Sequence, residues 1–345
     1  MTSNTRKRRG VQLLFAALGL GLLGVLVWTV GLSDVAAHMA RLGWFAPIVL
    51  LPYAAIAVCD AKGWSWLIPR DSAARPVPLW YFSLSRLAGE SINNLTPTAS
   101  IGGEAFKVYL LRRRGIRPEV GMASVVAAKT ALTVSQIIFI LLGLPFFLFR
   151  LGWGLHSWWV MSLFMALACG FVLSLIHWQR RGLMEKLVRS LGRWFPRWSA
   201  PQRWEAGARR IDALLLQLYD SNPRAFLVST VYHLLGWLLG AVEIWVIFAL
   251  LGIPVGLIEA LIIESMVQPL TAAALVIPGA LGVRETAGVF LSRLLGIDVG
   301  AGLALMVLKR AREAVYNGIG LLFLTRAGYT WRAEERSPVL PEMLP

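Results

Sequence analysis

Residues Pro97 to Gly115 read P-T-A-S-I-G-G-E-A-F-K-V-Y-L-L-R-R-R-G, and residues Pro278 to Gly296 read P-G-A-L-G-V-R-E-T-A-G-V-F-L-S-R-L-L-G. Both lie among apolar runs, yet each holds a proline, glycines and a carboxylate, Glu104 in the first and Glu285 in the second. Irregular backbone at membrane depth survives only where it is buried in protein or lines a wet cavity. A charge near the bilayer centre costs roughly 2.5–3.5 kcal/mol on insertion scales, so it marks function. The two stretches keep one register: proline to glutamate is seven residues in both, glutamate to closing glycine is eleven, and an isoleucine follows (Ile116, Ile297). The offset between them is 181 residues throughout, and it carries Lys129 onto Arg310.

The composition says what kind of chain holds this repeat. Of its 345 residues 57% are hydrophobic, the mean hydropathy is +0.63, and several apolar runs are long enough to span a bilayer. This is the signature of an all-α polytopic membrane protein. The net charge of +15 follows from 34 Lys and Arg against 19 Asp and Glu. Basic loops on the cytoplasmic side explain that excess and speak against nucleic-acid binding. Cys59 and Cys169 are far apart and form no metal-ligand spacing, and no motif implies a cofactor. The four histidines are scattered and read as helix-end or packed polar residues.

Taken in order, residues 1–10 form a basic cytoplasmic tail and 11–178 a first transmembrane half that opens on the run Val11–Val30. Residues 179–222 form a cytoplasmic basic linker, 223–326 a second transmembrane half and 327–345 a cytoplasmic tail. Asp60, Lys62, Trp64 and Trp66 close the second span and read as an interfacial cluster. Residues 78–111 begin and end near basic residues, so they enter and return from one side as a re-entrant helical hairpin. Glu104 then sits in the first turn of the returning helix, where the helix dipole favours a carboxylate. Lys129, Thr133 and Gln136 recur at helical spacing and give one polar face that should look inward. In the linker, Met184, Leu187, Val188 and Leu191 suit an amphipathic helix on the inner leaflet, and a solvated basic loop fits equally well. Ser221-Asn222-Pro223 reads as a helix start. Pro269 should interrupt the helix before the second motif, which enters from the opposite side. The expected fold is an inverted repeat of two helical halves, about six full spans plus two re-entrant hairpins, with a binding site at the repeat interface.

The residues N-N-L-T-P-x4-G-G-E-x2-K (93–107), P-G-x2-G-V-R-E (278–285) and Arg310 resemble the flippase-like transmembrane family, known as the membrane domain of lysyl-phosphatidylglycerol synthases and also as stand-alone proteins. The resemblance covers about residues 11–326. It implies translocation of a lipid between leaflets, with a phospholipid, a hopanoid or a lipid-linked intermediate as substrate and envelope-biosynthesis proteins as partners. Carried over by position, its motif residues are Asn94, Pro97, Gly102, Gly103, Glu104, Pro278, Gly279, Gly282, Arg284, Glu285 and Arg310. Lys107 and Lys129 stand where arginine is the commoner residue, which keeps charge but loses bidentate phosphate binding. No synthase domain accompanies these residues, so lysyl transfer is not expected.

The expected site therefore comprises Asn94, Glu104, Lys107, Lys129, Arg284, Glu285 and Arg310. Lys129, Arg284 and Arg310 offer positive charge to a headgroup, and Glu104 and Glu285 pair with these bases while the site is empty. The rival class is a membrane-embedded enzyme, or an assembly factor, acting on envelope lipids. No nucleophile elbow, zinc-protease, aspartate-rich or Walker motif appears, so the expectation is a transporter of the bacterial inner membrane rather than an enzyme.

Overall fold

The computed structural model describes residues 43–72, 76–95, 102–152, 158–194, 202–273 and 280–327. The basic tail, the run Val11–Val30, Pro97, Pro278, Gly279 and the tail beyond residue 327 lie outside the described residues. After a 3-10 turn at Gly43–Val49 come eleven helices. The first half supplies α1 (Leu50–Ser65), α2 (Leu79–Leu95), α3 (Gly102–Arg112) and α4 (Pro118–Arg150), followed by α5 (Trp158–Arg180). The linker folds as α6 (Leu183–Trp194) and α7 (Gln202–Ser221). The second half supplies α8 (Pro223–Leu250), α9 (Leu257–Ala273), α10 (Val283–Leu294) and α11 (Val299–Arg326). The described residues contain no strand, so the chain is an all-α polytopic membrane protein.

Adding 181 to the start of α3 gives the start of α10, and adding 181 to the start of α4 gives the start of α11. The two halves are also antiparallel. Along the α1–α8 contact, Ile56 lies beside Gly236, Asp60 beside Gly236 and His233, and Gly63 beside Tyr232 and Ser229. One number rises as the other falls, and the contact centres where a residue meets its own repeat mate. Only a two-fold axis perpendicular to the helices does this to a pair of equivalent helices. The cross pairs agree: α2 packs on α11 and α4 packs on α9. These are the same contact seen from the two halves.

Four segments among the described residues are long and apolar enough to cross a membrane: Gly43–Ser65, Pro118–Arg150, Trp159–Arg180 and Pro223–Leu250. A fifth helix, α11, has 28 residues, but Lys309, Arg310, Arg312 and Glu313 interrupt its apolar run. The short arms behave differently. At ~1.5 Å per residue, α3 and α10 reach only about half of a ~30 Å hydrocarbon core. Each packs against the preceding helix, α3 on α2 and α10 on α9, as re-entrant hairpins do.

Apolar cores close the bundle at both ends. One joins the ends of α4 and α8 to the starts of α9 and α11 through Leu144, Ile247, Phe248, Ile263 and Leu305. The other joins the end of α1 to α2, α3 and the start of α4 through Ala61, Phe82, Leu111 and Val120. Between them lies the polar middle.

Three expectations change. The helix α9 runs straight through Pro269, as α4 does through Pro145. The missing N–H frees only the Ser265 carbonyl, a fault that membrane helices tolerate. The linker is not a solvated loop. Its α7 docks on α4 through the buried Leu215, and Asp212 accepts the N–H groups of Met184 and Glu185 at 3.0 Å each, capping α6. Trp64 is not interfacial: it is buried and donates to Ser124 Oγ at 3.1 Å. The expected start of α8 is observed, with the Asn222 side chain accepting from Ala225 N–H at 3.2 Å ahead of Pro223.

Candidate functional site

A cavity of about 300 Å³ opens between the halves at the middle of α8, where His233, Gly236, Trp237, Gly240 and Glu243 face it. The glycines are a packing requirement. A Cβ at Gly236 would meet Asp60 at 3.0 Å and one at Gly240 would meet Glu264 at 3.1 Å, so these positions make room for carboxylates from α1 and α9.

The charged residues around the cavity form separate groups of opposite charges. In the first half, Arg86 on α2 sits 2.5 Å from Asp60 of α1 and 2.8 Å from Glu90 one turn away. Tyr53 donates its hydroxyl to Glu90 at 3.0 Å, and His233 Nδ1 lies 2.7 Å from the other Asp60 oxygen. In the second half, Lys309 lies 2.6 Å from Glu264 and 3.5 Å from Glu243, whose other oxygen lies 2.9 Å from Arg312. The Arg312 guanidinium stacks 3.9 Å over the Tyr53 ring and so ties this group to α1. A third group joins Glu285 to Arg310, Arg310 to Glu313 at 2.7 Å, and Arg284 to Glu313 at 3.9 Å. Burying ions costs several kcal/mol each unless they are paired and hydrogen-bonded, which is why each charge in these groups stands beside one of opposite sign.

The expected residues separate into those at the cavity and those behind it. Asn94, Glu104, Lys107, Lys129 and Arg284 line it. Glu285 and Arg310 stand one layer back and reach it through Glu313. Glu285 also accepts the Gly282 N–H at 2.7 Å, so it caps α10, and Gly282 adopts φ +80, a conformation that glycine alone takes readily. In the other half Asn93 accepts the Gly103 N–H at 2.7 Å, and Asn94 donates to Asn317 at 3.2 Å.

The pairing of Glu104 departs from expectation. Its partner is Lys107, at 2.9 Å, not Lys129. Lys107 lies one turn along the same helix and is therefore always within reach. The mate of Lys107 in the second half is Gly288, against which Met306 packs, so Glu285 turns to Arg310 instead. Among the described residues Lys129 has no ion-pair partner, Arg284 makes no hydrogen bond, and the second Glu104 oxygen is buried without a partner. These three groups converge on the cavity with capacity to spare. Gln136 meets Gln268 across the halves at 3.2 Å, which sets the polar face of α4 inward as its spacing suggests.

Asp60 corrects the sequence reading most. It is buried at 4% exposure and ion-paired in the cavity wall, not interfacial, because it lies on the face of α1 that packs against α8 and meets Arg86 of α2. His233, Arg86, Glu90, Glu243, Glu264, Lys309, Arg312 and Glu313 belong to these groups and were absent from the expected site. Their one signal in the sequence is an ionisable side chain inside an apolar run, a default marker of function in membranes.

Comparison with known proteins places the chain. The family model described as the lysylphosphatidylglycerol synthase transmembrane region matches residues 12–320. A UPF0104 membrane protein of Methanothermobacter thermautotrophicus is 26% identical over 234 residues, which cover 63% of this chain and 65% of that protein. No solved structure matches.

Proposed function

This chain belongs to the lysylphosphatidylglycerol synthase transmembrane-region family, and from that premise we propose that it moves a lipid with a polar or anionic headgroup between membrane leaflets. One observation carries the reading: a cavity between two antiparallel halves, walled by ion-paired groups and lined by Lys129, which has no ion-pair partner among the described residues. A volume of about 300 Å³ holds a headgroup rather than a whole lipid, leaving the acyl chains in the bilayer. Lys129 and Arg284 receive the phosphate, and the Glu104 oxygen that lacks a hydrogen-bond partner accepts from a hydroxyl or amine of the same headgroup. Rocking of one half against the other exposes the site to each side in turn. The basic segments after α1, α3 and α5 support a cytoplasmic face at their end of the bundle, as in a bacterial inner-membrane protein with both termini in the cytoplasm.

The test is movement of chain-labelled phosphatidylglycerol in vesicles containing the purified protein. Losing one charge-assisted contact weakens binding by about 1.5–3 kcal/mol, so Lys129→Ala, Glu104→Ala and Arg284→Ala are each expected to slow movement about ten- to a hundredfold. Folded variants that move lipid at the wild-type rate would overturn the site. Chemical conversion of the lipid by the wild-type protein would favour an enzyme instead.

A further inference from the structure

The charges around the cavity can be counted. Among the described residues, Glu243 and Glu264 balance Lys309 and Arg312, Glu285 and Glu313 balance Arg284 and Arg310, and Glu104 balances Lys107. The remaining cluster holds two carboxylates, Asp60 and Glu90, against one guanidinium, Arg86. Its fourth member is His233, so that cluster is neutral only when the imidazole carries a proton. With that proton in place the cavity as a whole is left with a single positive charge, that of Lys129. A phosphodiester carries a single negative one.

We propose that His233 is a proton-binding site and that one proton enters the cavity with one anionic lipid headgroup, so that proton and lipid cross together. The inference rests on the transport reading. Histidine is the side chain whose charge changes within the physiological range, whereas the guanidinium groups stay charged throughout it. The geometry suits the role. His233 is 4% exposed, its Nδ1 is held by Asp60 at 2.7 Å, and its Nε2 is buried without a hydrogen-bond partner. Nε2 is thus the atom at which the proton adds and leaves. A Cβ at Gly63 would meet the Ser229 carbonyl at 3.0 Å and Nε2 at 3.4 Å, so the glycine lets α1 and α8 close around the ring.

The surroundings agree from every side. From α1 the imidazole meets Asp60 and, further off, Tyr53, and from α2 the cavity receives Arg86 and Glu90. The other charged faces are Glu104 and Lys107 on α3, Lys129 on α4, Glu264 on α9, Arg284 on α10, and Arg312 with Glu313 on α11. On its own helix α8 brings Glu243, and α7 lends the cavity no side chain. All are matched within their groups except Lys129 and the Asp60–Glu90–Arg86 cluster, which is one positive charge short. An empty cavity with a neutral imidazole and a filled cavity with a charged one are therefore both electrically balanced, and the two mixed states are not. Stranding a charge in a buried site is what couples the two ligands.

The experiment uses the full chain in vesicles of phosphatidylcholine and phosphatidylglycerol carrying a trace of chain-labelled phosphatidylglycerol, with the pH set separately on each side. With one proton per lipid, a gradient of one pH unit is expected to shift the ratio of labelled lipid between leaflets about tenfold, in the direction the proton runs. For His233→Gln the rates under opposed gradients, each divided by that variant's own rate without a gradient, are expected to become equal. His177→Gln, remote from the cavity, should respond as wild type does. A second readout needs no movement: phosphatidylglycerol added to the protein in unbuffered detergent should draw protons from solution, and His233→Gln should draw fewer. Inorganic phosphate in place of the lipid should draw none, and uptake with phosphate but not with lipid would overturn the lipid assignment. Wild-type movement that is equal under opposed gradients, with no proton uptake, overturns the inference and leaves transport standing. Proton uptake without lipid movement under any gradient overturns transport and leaves the linkage standing.

Discussion

At the scale of single residues, the surroundings of each ion pair decide what it contributes. Arg86 holds Asp60 and Glu90 in a wall where both Asp60 and His233 are nearly sealed from solvent. Removing one partner of such a group strands the others. Arg86→Ala is therefore expected to cost about 3–5 kcal/mol, read as a large drop in the thermal unfolding temperature of the detergent-solubilised protein. Arg180 and Asp220 form a pair of similar length, 2.9 Å, but with half of each side chain exposed. Arg180→Ala should change stability by less than about 1 kcal/mol, because solvent screens that pair. Equal losses in the two variants would show that the cavity wall is not sealed. The sequence displays both arginines equally; only burial separates them.

At the scale of elements, the re-entrant arms are set by glycine. Where α2 crosses α3, a Cβ on Gly103 would run into the backbone of Gly89, and a Cβ on Gly89 would meet the Gly103 carbonyl at 2.8 Å. Backbone cannot step aside without parting the helices. In the second hairpin a Cβ on Gly288 would meet only the far end of the Met306 side chain, which can take another rotamer. Gly103→Ala is accordingly expected to destabilise the protein by more than about 2 kcal/mol and to separate α2 from α3, while Gly288→Ala costs well under half of that. A thermal unfolding series, with a cysteine pair cross-linked across α2 and α3, measures both. In the sequence Gly103 and Gly288 are both glycines of the repeated motif stretches and look alike. Their unequal roles follow from what each faces.

At the scale of the whole molecule, the antiparallel halves predict that repeat-equivalent loops lie on opposite sides of the membrane. In a chain lacking Cys59 and Cys169, Arg117→Cys and Asp298→Cys, which are 181 residues apart, should react with an impermeant thiol reagent from opposite faces of sealed vesicles. Labelling from one face would overturn the inverted arrangement. That arrangement was legible because the offset preserves a backbone pattern: proline, glycine and a helix-opening glutamate demand the same break wherever they occur. Glu104 and Lys129 at the cavity, and Glu285 and Arg310 behind it, stand out by the same offset. The other cavity charges do not, since they do not obey the repeat: the mate of Asp60 is Ala241, that of Arg312 is Ala131, and that of Glu243 is Lys62. The sequence by itself determined an all-helical membrane chain of two opposed halves, because hydropathy and backbone breaks are local properties. Only the tertiary structure decided which charges share one space, because partners such as Asp60 and His233 stand 173 residues apart and are joined solely by the crossing of α1 and α8.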